Sequence, residues 1–152
     1  MAKINGFIDS WLSHRKALLE LADTFGDDQL QFKPWENAMS LSELVLHITG
    51  ATSMFAQTVK NGVFTPPPEP KAFETASDLK AIIQNETEKT VSDLESLTDE
   101  QLELPVEFYG MTMPGLDLLE NGKDHEIHHK GQLFTYARLL GIESLPFFVS
   151  RS

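Results

Sequence analysis

Residues 124–134 read DHEIHHKGQLF, and the spacing inside this stretch organises the reading of the whole chain. On a helix, His125 and His129 stand one turn above the other, with Cβ atoms about 5 to 6 Å apart. Two imidazoles in that relation can close on one ion at about 2.0 to 2.1 Å each. The pair is half a site, and a third ligand has to come from elsewhere in the fold. His128, three residues from His125, swings to the other side of it and is expected at a pocket rim or in contact with a ligand. Gln132, three residues past His129, is placed to hydrogen-bond a ligand or a substrate. HEIHH also satisfies the HExxH pattern of zinc peptidases, with Glu126 as base. Such enzymes recruit a downstream third ligand. No histidine follows His129, and Glu143 lies past the predicted helix stop. Glu126 therefore reads as a solvated helix residue, with proton shuttling as a lesser role.

Working outward, the helix that carries this stretch is predicted from about Pro114 to Leu140, with Gly141 just past its end and Pro146 beyond. Before it, PVEFYGMTMPG (105–115) alternates apolar and polar residues around Tyr109-Gly110, the pattern of a short two-stranded hairpin packed over one end. A helix from Ser77 to Leu97 precedes that. Its apolar stripe of Leu79, Ile82, Ile83, Val91, Leu94 and Leu97 is interrupted at Glu86, Thr87 and Thr90. NGVFTPPPEP (61–70) cannot continue a helix, and its length suits a crossover that travels along a bundle.

SLSELVLHITG (40–50) opens another helix, reaching about Lys60, with Ser40 and Glu43 as a capping box. His47 sits in mid-helix on its apolar stripe, where an imidazole needs a partner because burying it unsatisfied costs free energy. Taken with the HxxxH pair, it is the natural third ligand. QFKPWENAM (31–39) is a connector, with Trp35 large enough to plug one end of the bundle. The first helix runs from about Ile4 to Phe25 on a stripe of Phe7, Trp11, Leu18, Leu21 and Phe25, with Gly26 as its stop. His14 falls on that stripe and reads as a satisfied core histidine sooner than as a ligand. The expected fold is all-α, a four-helix bundle with a long crossover between helices two and three and a short β-hairpin before helix four, in a single domain over 1–152.

Twelve Lys+Arg against 23 Asp+Glu leave a formal net charge of −11, which repels phosphate backbones and anionic lipid heads. Neither nucleic acid nor a membrane is expected as a partner. No run of about 18 apolar residues suggests a membrane span, and the N-terminal residues lack a secretory signal. With no cysteine in the chain, a reducing cytoplasmic setting fits, and thiolates are absent from any ligand set.

The Trp-containing connector after the first helix, SLSELVLHITG, and DHEIHHKGQL after a short hairpin together resemble the DinB/YfiT-like bacterial proteins. These are the damage-inducible family of metal-binding bundles, unrelated to the DNA polymerase that shares the label. The resemblance covers nearly the whole chain. It implies a three-histidine site for zinc or nickel with its ligands on His47, His125 and His129, and a homodimer. Some relatives are thiol S-transferases that use bacillithiol, mycothiol or glutathione, and others are maleylpyruvate isomerases.

Three neutral imidazoles leave an ion its positive charge and an open coordination position, the arrangement of a catalytic site. Bound water there is acidified, and a substrate thiol or carbonyl oxygen can displace it. The leading expectation is a metal-dependent enzyme of the thiol S-transferase type acting on a small molecule, possessing no assignable catalytic residue beyond the ligands. The alternatives are a non-catalytic, metal-holding dimeric module and, less favoured, an HExxH zinc peptidase.

Overall fold

A computed structural model describes residues 2–151; Met1 and Ser152, the ends of the expected domain, lie outside the described residues. Its elements are α1 (Ala2–Ala22), a 3-10 turn (Asp27–Gln29), α2 (Leu41–Asn61), α3 (Ala76–Glu95), α4 (Asp99–Glu103), β1 (Pro105–Phe108), β2 (Met111–Pro114) and α5 (Gly115–Leu139). The four long helices form the expected bundle: α2 packs against α5 and α3, and α1 packs against α3 and α5. No helix among the described residues is long and apolar enough to cross a membrane.

The helix starts follow from side-chain caps. Ser40 Oγ accepts from the Glu43 amide at 3.2 Å, and Glu43 Oε1 accepts from the Ser40 amide at 2.8 Å, which satisfies two of the amides that a helix start leaves bare. Thr75 with Asp78 repeats the device at α3. Thr98 with Gln101 repeats it at α4, a short helix between α3 and the hairpin that sequence analysis does not assign. The T-x-x-Q spacing was its available signal. β1 and β2 pair antiparallel with Phe108 opposite Met111. Tyr109 and Gly110 turn the chain between them at φ 50° and 80°, the two positive angles of a type I′ turn.

Two expectations are corrected. The first helix ends at Ala22, short of Phe25, and Gly26 opens the following 3-10 turn instead of stopping α1. Trp35 does not plug the bundle: it is 65 % exposed.

The core is divided along the bundle axis. One apolar cluster gathers Ile4, Phe7 and Trp11 of α1 with Phe55, Val59, Leu94 and Leu118, closed by Val106 and Phe108 of the hairpin. The other gathers Leu18 and Leu21 with Leu44, Ile48, Ile83, Leu133 and Phe134. Each fully buried large side chain in these clusters contributes about 1.5 to 3 kcal/mol. Between the clusters the helices turn polar, with Arg15, Thr52, Ser53, Thr87, Thr90, Glu126 and Lys130 all buried. The histidines lie at this level. Gly122 makes the α2–α5 approach possible, because a Cβ there would fall 2.8 Å from the Phe55 ring.

Candidate metal centre

His47 of α2 and His125 and His129 of α5 come together with their ligand atoms within 4.8 Å of one another. Among the described residues this is the one group of three or more such side chains able to hold a metal ion. The Nε2 atoms of His47 and His125 are 3.2 Å apart. Two nitrogens bound at about 2.0 to 2.1 Å to one tetrahedral ion stand about 3.3 Å apart, so this edge already has the span of a coordination site. The His129 ring lies 4.7 Å from that of His47 and 4.4 Å from that of His125, centroid to centroid.

His129 Nδ1 donates to Gln132 Oε1 at 2.7 Å. A carbonyl oxygen only accepts, so the proton sits on Nδ1 and leaves the Nε2 lone pair free, the tautomer a ligand needs. Gln132 thus meets one of the three histidines, at the 2.7 Å contact to His129. The His125 Nδ1 atom is buried and has no hydrogen-bond partner. Burial, then the charges of His129, His47 and His128, pulls the His125 pKa down to about 4. Burial and then His129 lower His47 as well. The lowered values keep both rings neutral near pH 7, and across the 3.2 Å contact one Nε2 donates to the other.

The remaining sequence candidates fall outside the trio. His14 is half-buried, and its Nδ1 accepts from Lys130 Nζ at 2.9 Å, as a satisfied histidine should. Lys130 also donates to the Phe148 carbonyl, and burial lowers its pKa to about 8 against the opposing pull of Glu126. His128 is exposed and lies edge-on to His129, centroids 4.8 Å apart.

Glu126 corrects the reading of a solvated residue, since it is completely buried. Its carboxylate takes a two-pronged contact from Arg15, Nε to Oε2 at 2.8 Å and Nη2 to Oε1 at 2.7 Å. Trp11 Nε1 at 2.9 Å and the Thr52 hydroxyl at 2.8 Å donate to Oε1 as well. Burial pushes the Glu126 carboxyl up, but the Arg15 charge and these hydrogen bonds outweigh it and hold the pKa below the usual value. A carboxylate so fully engaged does not serve as the base of a zinc peptidase. Arg15, also completely buried, is the partner that sequence reading missed. Its neighbour His14 drew attention because it falls in the 7, 11, 18 step, whereas Arg15 follows the i, i+4 step from Trp11.

Two cavities flank the trio. The larger, about 670 Å³, lies between α2 and α3 beneath the proline crossover and includes His47 in its wall. The smaller, about 370 Å³, lies between the connector and α5, walled by Trp35, Tyr136, Gln132 and His129. His47 faces the one cavity and His129 the other.

Comparison with known proteins agrees with this architecture. The sequence model of the DinB family matches residues 1–151. The uncharacterized protein YjoA of Bacillus subtilis strain 168 is 40 % identical over 154 residues, 99 % of each chain. The crystal structure of the DinB-like protein YjoA from that organism superposes with a TM-score of 0.86 at 39 % identity, covering 97 % of this chain and 99 % of that one. A DinB-like protein from Bacillus cereus ATCC 10987 shares the fold at a TM-score of 0.81 and 22 % identity, over 94 % and 95 % of the two chains. With a whole-chain family match, a near-full-length relative and a common fold, the chain belongs to the DinB family.

Proposed function

We propose that His47, His125 and His129 ligate one divalent metal ion, zinc or nickel, and that the protein uses it as a metal-dependent enzyme of the thiol S-transferase type in the cytoplasm, acting as a homodimer on a small molecule. The observation that carries the metal assignment is the 3.2 Å separation of the His47 and His125 Nε2 atoms, the spacing of two donors on a shared ion. The tautomer set by Gln132 supports it. When bound, a divalent ion with an open position lowers the pKa of a coordinated thiol and deprotonates it. The chain's own part is to hold three imidazole donors on two rigid helices, and to leave space on both sides for a thiol and its electrophile.

Elemental analysis of protein purified without a polyhistidine tag should find zinc or nickel near one ion per chain, reduced about tenfold or more in His125→Ala. Retention of the full metal content by that variant would overturn the ligand assignment. The metal-loaded protein should then transfer a thiol to monochlorobimane, forming the S–C bond with release of chloride and a proton. Replacement of His129 by alanine should abolish this turnover. Metal at full occupancy without any turnover would leave a metal-holding module in place of the transferase.

A further inference from the structure

Two helices wall the larger cavity: α2 contributes His47, Ala51 and Met54, and α3 contributes Ile82 and Glu86. Glu86 is half-buried. Among the described residues, no hydrogen bond or ion pair engages its carboxylate. It lies at the interruption of the α3 apolar stripe. The next interrupting residue, Thr87, has a structural explanation, since it accepts from Arg15 Nη1 at 3.0 Å. Glu86 has none. Its carboxylate is an unpaired negative charge on a largely apolar wall, placed to meet a cation that enters the cavity.

The other charged groups around the cavity do not supply that cation. The Glu43 carboxylate is committed to the cap of α2. Glu69 and Lys71 both lie on the exposed crossover, one of each sign, and Lys71 forms no ion pair with Glu86. The volume of about 670 Å³ is that of a small-molecule site. Its walls are otherwise largely apolar, and His47 gives it access to the trio.

We propose that the larger cavity binds a small molecule combining an apolar body with a protonated amine, and that Glu86 selects it by pairing with the amine. The inference deepens the function proposed above, because His47 is what connects a molecule in this cavity to the metal; the amine preference itself rests on Glu86 and needs no ion.

The test is fluorescence titration at physiological salt with two probes, dansylcadaverine and dansyl-6-aminohexanoic acid. They share the fluorophore and a similar chain but end in an amine and a carboxylate. The wild-type protein should bind the amine at least about tenfold more tightly than the acid, the scale of a hydrogen-bonded contact to a charged group. Glu86→Gln should erase the preference and Glu86→Lys should invert it. Glu88→Gln, an equal change in net charge at an exposed position of the same helix, should leave it intact. Absence of saturable amine binding, equal affinity for the two probes, or a preference that survives in both Glu86 variants would overturn the proposal. The preference should also persist in His125→Ala. If it does while the elemental analysis fails, the metal assignment falls alone; if the protein carries its metal but shows no preference, Glu86 selectivity falls alone.

Discussion

Glu126 and Arg15 show how little a residue's type reveals of its setting. Both are charged and both are completely buried, a state tolerated because each carboxylate oxygen receives a donor. Arg15→Ala would leave that carboxylate in place without its counter-charge, and a loss of about 3 to 5 kcal/mol in chemical denaturation is expected. A double variant, Arg15→Met with Glu126→Leu, should lose less than the single one, because it leaves no orphaned charge; a loss below about 1 kcal/mol in the single variant would show the pair to be dispensable. His125 makes a pH-dependent prediction. Its folded pKa of about 4 lies below the ordinary 6.5, so between those values the unfolded chain binds a proton that the folded chain refuses. The metal-free protein should be fully stable above about pH 6.5 and weaken as pH falls toward 4, with the lowered His47 adding in the same direction. Equal urea midpoints at about pH 7.5 and about pH 5.5 would contradict this. The trio was legible in sequence because spacing is local for two of its members and His47 breaks an apolar stripe. Burial of Glu126 was not, because it depends on which face of α5 meets α1, and one chain's pattern does not specify that contact.

Elements were legible where they carry their own punctuation. Ser40 with Glu43 places the start of α2, and Tyr109-Gly110 places the hairpin turn. The end of α1 was misplaced because Phe25 is buried like the helical stripe before it yet belongs to the turn that follows; burial continued while the helix did not. Gly122 carries the prediction at this scale. Its missing side chain is occupied by the Phe55 ring, so Gly122→Ala gains helix propensity of about 1 kcal/mol but forces α2 and α5 apart, a cost of about 1 to 3 kcal/mol. A net lowering of thermal stability is expected, and a rise in melting temperature would mean that the ring moves aside freely. An exposed-site comparison is available in Gly131, which has open space where a Cβ would go. Gly131→Ala should show the propensity gain without the clash.

Across the molecule, the polar layer between the two apolar clusters sets the height at which chemistry is possible, and each long helix contributes to it. The four long helices and the crossover followed from periodicity and from Pro66, Pro67 and Pro68, while the cavities did not, since an enclosed space exists only after helices pack. The histidine trio also has a topological consequence. Its members come from two helices only, and His47 and His125 are 78 positions apart along the chain. An ion held there would act as a reversible crosslink closing a long loop, and loop-closure entropy rises only with the logarithm of loop length. Its hold on the fold would be set by ion concentration relative to the dissociation constant. Cellular metal supply would then determine how firmly the α2–α5 seam stays shut, while α1 and α3 would respond only through what they pack against.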